Sequence, residues 1–148
     1  MSPVTPDTYP NEIVVPGGMT NEELKRVCSF RSRGRIPAVT YFYEETKATI
    51  SRSSQPLVGL GKNRCQEDEK LLARIMTIGN TTATPKGRMY ICDARKKTAA
   101  TGNKIMGKGT EDVKNYIGAV MLHMDIKNIH AVRESEGLLW DLCRPSSR

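Results

Sequence analysis

The chain has 148 residues, with 23 Lys and Arg against 16 Asp and Glu, and a formal net charge of +7. A hydrophobic fraction of 38% beside 26% charged residues excludes a disordered chain and suffices for one core. The longest apolar run, "AVML", is far short of the roughly 20 residues that span a bilayer, and the excess positive charge favours an acidic partner: a phosphorylated small molecule, an anionic lipid surface or a nucleic acid.

Residues 1–7 form a polar, Pro-containing lead-in with neither a basic n-region nor an apolar h-region, so no signal peptide is expected and the chain reads as cytoplasmic. "EIVVP" (12–16) predicts a short strand closed by Pro16, Gly17 and Gly18. Thr20 followed by Glu23 is a capping box, with Met19 and Leu24 at the staple positions, so a helix starts there and buries Leu24, Val27 and Cys28. Gly34 and Pro37 break it. "AVTYFYEE" (38–45) and "KATISRS" (47–53) predict two strands joined by a tight turn. "QEDEKLLARIM" (66–76) predicts a helix with Leu71, Leu72, Ile75 and Met76 inward.

Residues 79–87 read as a loop, "RMYICDA" (88–94) as a buried strand, "KKTAATGNKI" as a short helix or turn, and "GAVMLHM" (118–124) as another buried strand. From Asp125 to about Cys143, Ile129, Val132, Leu139 and Cys143 share a face, which predicts a third long helix. Strands alternating with helices give an α/β chain with a central sheet flanked by helices. A polar tail, 144–148, follows.

The stretch "GNKIMGKGT" nearly matches the phosphate loop Gly-x4-Gly-Lys-Ser/Thr. Gly102, Gly107 and Lys108 fit, but Gly109 stands where the magnesium-binding hydroxyl belongs and Thr110 comes one position late. A working phosphate loop follows its strand directly and opens into a helix. Here the strand ends near Ala94, eight residues before Gly102, and the residues between look helical, so an ATPase is rejected.

Lys25, Arg26, Arg31, Arg33 and Arg35 lie in one run with no acid among them, ahead of Tyr41, Phe42 and Tyr43. Cations with aromatics can hold single-stranded nucleic acid. The aromatics, however, fall in a strand, whose alternate side chains point to opposite faces. A solvated or anion-facing surface is the expectation, and no nucleic acid. The four cysteines, Cys28, Cys65, Cys92 and Cys143, form no C-x-x-C pair, and His123 and His130 make no metal-ligand spacing with them. Neither a metal nor another cofactor is expected. Arg and Ser packed around Gly and Pro in "FRSRGRIP" and "SRSSQPLVG" predict loops fixed by side chain to backbone hydrogen bonds.

Seven blocks in order carry a resemblance. "TYP" (8–10) with "IVVP" (13–16), "NEELKRVCSFRSRGRIP" (21–37), "RSSQPLVGL" (52–60), "EDEKLLARI" (67–75), "DAR" (93–95), "GNKIMGKGTE" (102–111) and "DIKNIHAVRES" (125–135) are similar to the first part of the myotubularin phosphatase domain. The resemblance covers residues 8–143. It implies a protein-tyrosine-phosphatase-like enzyme family that removes the 3-phosphate from phosphatidylinositol 3-phosphate and the 3,5-bisphosphate. It also implies that Asn103, Asn128 and Ile129 border the phosphoinositide pocket. Thr110 stands where the family often has Tyr.

Such phosphatases use a Cys thiolate nucleophile, an Arg six residues later that forks two hydrogen bonds to the phosphate, and an acid that protonates the leaving alcohol. Six residues after Cys28, Cys65 and Cys92 stand Gly34, Leu71 and Thr98, and Cys143 would need a residue beyond Arg148. The resemblance therefore implies an incomplete domain, a fragment or truncated form that is inactive as this chain. The alternative is a stand-alone non-catalytic module, peripheral on membranes, that binds anionic lipid or pairs with an active myotubularin. A domain of this extent would leave an unpaired sheet edge and an uncovered apolar face.

Overall fold

The structure is a computed structural model that describes residues 8–78 and 88–144. The lead-in, the 79–87 loop and all but Arg144 of the tail lie outside the described residues.

Helix α1 (Asn21–Phe30) begins where the capping box places it. The Glu23 backbone N–H donates to Thr20 Oγ1 at 3.2 Å, and the Thr20 N–H donates to Glu23 Oε2 at 2.8 Å. Val27 is fully buried and packs with Leu71, Leu72 and Ile75 of α2 (Gln66–Ile78), joined by Ile36 and Tyr116. Met19, Leu24 and Cys28 pack against that core. The apolar periodicity of both helices thus finds its partner in the other helix.

The same helix pair carries an acid-sensitive contact. Lys70 Nζ donates to the other Glu23 oxygen at 2.5 Å. The Lys70 ammonium and the Thr20 N–H hold the Glu23 carboxyl down to about 2, against an ordinary value of 4.5. A carboxylate whose folded pKa is depressed contributes stability above its unfolded pKa and loses it as pH falls through the folded one. The melting temperature is therefore expected to fall between pH 4.5 and about 2. In Glu23→Gln that fall should be smaller by circular dichroism melts; equal acid sensitivity in both proteins would contradict it.

Strands β1 (Ala38–Tyr43) and β2 (Ala48–Arg52) form an antiparallel hairpin, with a register shift between Val39 and Tyr41. The predicted 12–16 strand reduces to one bridge, in which the Val39 N–H donates to Val14 O at 2.8 Å. Strands β3 (Met89–Asp93) and β4 (Ala119–His123) pair in parallel, and helix α3 (Lys97–Ile105) lies in the connection between them. The mixed α/β class holds. The central sheet does not: among the described residues there are two sheets of two strands each. Local alternation marks a strand but carries no record of which distant strand it pairs with.

Two further expectations are corrected. β3 and β4 are not buried strands, since Tyr90, Val120 and Leu122 lie exposed on one face. The last helix, α4 (Ile129–Cys143), starts four residues after Asp125, because Asn128 is its N-cap and Asp125 has φ 55°. None of its residues is buried, and Ile129, Val132, Leu139 and Cys143 form no inward face. Leu138, Leu139, Trp140 and Leu142 are each more than 60% exposed. A helical period shows that one face is apolar, not that something covers it. No helix among the described residues is long and apolar enough to cross a membrane.

Candidate functional site

The basic run is not one surface. Arg31, the C-cap of α1, is 1% exposed and Asp68 of α2 is 0% exposed. Arg31 Nε and Nη2 donate to the two Asp68 oxygens at 2.7 and 2.6 Å, and Nη1 donates to Glu111 Oε1 at 2.6 Å and Ser54 O at 2.9 Å. Arg26 pairs with Glu67 at 2.6 Å. The acids missing from the run in sequence therefore arrive from elsewhere in the chain. Burial works against the Arg31 charge, but the Asp68 and Glu111 carboxylates outweigh it and raise its pKa above the arginine value. Burial pushes the Asp68 carboxyl up, and the Arg31 fork pulls it back.

A second cluster sits at the end of β3. Arg95 Nε and Nη2 donate to the Asp93 oxygens at 2.9 and 2.6 Å, Nη2 also donates to Gly109 O at 3.1 Å, and Nη1 donates to Gln55 Oε1. Burial opposes the Asp93 charge, yet the Arg95 hydrogen bonds hold its carboxyl below the ordinary range. Ser54 Oγ donates to Ser32 O at 2.7 Å and Arg35 O at 3.2 Å, so one serine side chain fixes the Arg-rich turn. Together the two clusters tie α1, α2, the 53–55 loop, β3 and the 109–111 stretch to one another.

That anchoring defines the glycine-rich stretch. Asn103 lies near the end of α3, and its carbonyl accepts from the N–H groups of Met106 and Lys108 at 3.1 and 3.0 Å. The Gly107 N–H donates to Lys104 O at 3.1 Å. A phosphate loop needs such N–H groups turned outward. Here they close a helix end, which is the physical reason the near-match is no nucleotide site. Gly107, at φ 75°, has the left-handed conformation that ends α3. A Cβ on Gly59 would stand 3.4 Å from the Gly107 Cα, so the two glycines let the loops pass closely.

Asn128 Oδ1 caps α4, accepting from the His130 and Ala131 N–H groups at 3.1 Å each. Its amide nitrogen has no partner among the described residues. Ile129 opens the helix and is 61% exposed. No hydrogen bond joins Asn103 to Asn128 or Ile129. None of the three lines either of two cavities: one of about 620 Å³ between the 58–64 loop and the 110–116 segment, and one of about 460 Å³ at the end of β3.

Burial raises the thiol pKa of Cys28 and of Cys65, the reverse of what an attacking thiolate needs, and none of the four cysteines is disulfide-bonded. Residues the sequence left without a role, Arg95 with Asp93 in one cluster and Asp68 with Glu111 in the other, form these two polar networks. Their pairing spans 37 and 80 residues for Arg31, a separation that no local pattern signals.

A family model described as "Myotubularin-like phosphatase domain" matches residues 4–148. The chain is 44% identical over 140 residues, 95% of its length, to the phosphatidylinositol-3,5-bisphosphate 3-phosphatase MTMR2 of Bos taurus, of which it covers 21%. It is 41% identical over 135 residues, 91% of its length, to the phosphatidylinositol-3,5-bisphosphate 3-phosphatase MTMR6 of Caenorhabditis elegans, covering 19% of it. To the myotubularin of Xenopus laevis it is 41% identical over 140 residues, 95% of the chain and 23% of that protein. The chain thus spans about a fifth of the length of the curated relatives it matches. It belongs to the myotubularin-like phosphatase family.

Proposed function

We propose that this chain is the substrate-side part of a phosphoinositide 3-phosphatase domain of protein-tyrosine-phosphatase type, without hydrolytic activity of its own. The observation that carries this is a pairing of facts. The chain aligns along 95% of its length with a 3-phosphatase named for phosphatidylinositol 3,5-bisphosphate, yet six residues after Cys28, Cys65 and Cys92 stand Gly34, Leu71 and Thr98 and no arginine. Residues 8–143 would supply the front of the domain, and the nucleophile loop would be joined to it in a longer protein. Asn103 and the amide of Asn128 would donate hydrogen bonds to the inositol phosphate, with Ile129 against the ring. An exposed Asn128 amide and Ile129 support that use.

The test is a chimera in which residues 8–143 replace the matching segment of the Bos taurus relative. The chimera is expected to release phosphate from phosphatidylinositol 3-phosphate. In it, Asn103→Ala and Asn128→Ala should each lower kcat/KM about 10- to 100-fold, the effect of losing one hydrogen bond to a charged group. An active chimera indifferent to both substitutions would remove these residues from the pocket, and an inactive but folded one would overturn the reading.

A second reading, a non-catalytic module peripheral on membranes that pairs with an active myotubularin, draws on the apolar side chains exposed along α4 and the β3–β4 sheet. Comigration of this chain with such a relative in gel filtration would favour it.

A further inference from the structure

The cavity of about 460 Å³ at the C-terminal end of β3 falls within the range of roughly 300–1,000 Å³ usual for small-ligand sites. Arg33 and Arg35 reach it from the turn after α1, Lys108 from the glycine-rich stretch and Arg95 from the end of β3. Against these four cations stand two carboxylates, Asp93 and Glu111, an excess of two positive charges. Both carboxylates are already engaged, Asp93 by Arg95 and Glu111 by Arg31, at 2.6 Å each. Arg33 and Lys108 have no ion pair and no side-chain hydrogen bond among the described residues, while Arg35 donates to Thr8 Oγ1 at 2.7 Å. Two loops thus bring the cations Arg33, Arg35 and Lys108, none of them in an ion pair among the described residues, to one space whose acids are occupied. That arrangement is repulsive until an anion enters.

We propose that this cleft is a binding site for a phosphate ester dianion, held by Arg33, Arg35 and Lys108. Two excess charges match a dianion, and guanidinium groups suit phosphate oxygens through paired N–H donors. The cleft's charge stands independently of how Asn103, Asn128 and Ile129 act.

Arg33 supplies a selective test. Its φ is 56°, in the left-handed region that favours glycine. Arg33→Gly therefore removes the charge while relieving the backbone, and the variant should melt no lower than the parent. Lys97→Ala, an exposed lysine of α3 outside the cleft, removes the same charge as a control. Binding is measured by calorimetry with inositol 1,3-bisphosphate and by sedimentation with phosphatidylcholine vesicles carrying phosphatidylinositol 3-phosphate. Arg33→Gly and Lys108→Ala are each expected to weaken binding about tenfold or more, and Lys97→Ala less than about twofold. Loss of binding to the free headgroup supports a soluble phosphate ester as ligand. The same loss seen only with vesicles supports a lipid headgroup. Binding that Arg33→Gly leaves unchanged, or no binding to either probe, overturns the assignment.

Discussion

Arg31→Ala is expected to cost about 5 kcal/mol of folding free energy, the upper end for breaking a buried ion pair. The substitution leaves two carboxylates, Asp68 at 0% and Glu111 at 10% side-chain exposure, facing each other without their shared cation. It also leaves the Ser54 carbonyl without the Nη1 donor. Asp68→Ala should cost less, about 3 kcal/mol, because Glu111 and Ser54 still hold the guanidinium. Against a total stability of about 5–15 kcal/mol for a single domain, either loss is large, and at the low end of that range Arg31→Ala leaves the folded and unfolded forms about equally populated. An exposed pair sets the contrast: Arg64 and Glu69 bond at 2.8 Å with Arg64 60% exposed, and Glu69→Ala should cost no more than about 1 kcal/mol. Urea unfolding monitored by circular dichroism gives the order directly. Equal midpoints for Arg31→Ala and Glu69→Ala would show that the buried network does not hold α1, α2 and the 109–111 stretch together.

The replacement that keeps the fold is apolar at both ends. A buried pair exchanged for packed hydrophobes is often neutral, because the desolvation cost of both charges disappears with their attraction. Arg31→Met with Asp68→Leu should therefore be less damaging than Arg31→Ala alone, although Glu111 remains to be solvated. That comparison separates the network's role in stability from a general need for charge at the site.

Which parts of this fold were legible in sequence follows from the range of the interactions. The capping box at Thr20 and Glu23, the α2 periodicity and the hairpin turn are local, and each element formed within a few residues of the expected bounds. The Asn128 cap is equally local, yet the apolar period extends the expected helix back to Asp125, because a period alone gives no start signal until its N-cap is identified. Pairing was not legible. Nothing in "FRSRGR" or "EDEK" says that Arg31 meets Asp68, and nothing in two alternating strands says that β1–β2 and β3–β4 form separate sheets. The family resemblance supplied Asn103, Asn128 and Ile129, which no spacing could have assigned. It gave no role to the cations of the β3 cleft, because they come from three separate segments.

The exposed apolar side chains of α4 bear on the same question as catalysis. Trp140 is 64% exposed and Leu142 83% exposed, on a helix that buries none of its residues. Exposed apolar surface of this kind is retained where another protein surface covers it. On the proposed function, a phosphatase domain completed around the β3–β4 sheet and α4 would both bury these side chains and supply the nucleophile.

The second large expected effect is that the chain alone releases no phosphate. Removing the nucleophile from an enzyme that works through a covalent intermediate costs about six orders of magnitude in rate. Burial raises the pKa of Cys28 and Cys65, the reverse of what an attacking thiolate needs, and Thr98 rather than an arginine stands six residues after Cys92. The direct measurement is phosphate release from phosphatidylinositol 3-phosphate in mixed vesicles by the purified 148-residue chain, beside a no-protein control and the active chimera. The chain should match the control while the chimera turns over. Release by the chain above the control would contradict the account, because it would require a nucleophile that the sequence does not contain in the expected form.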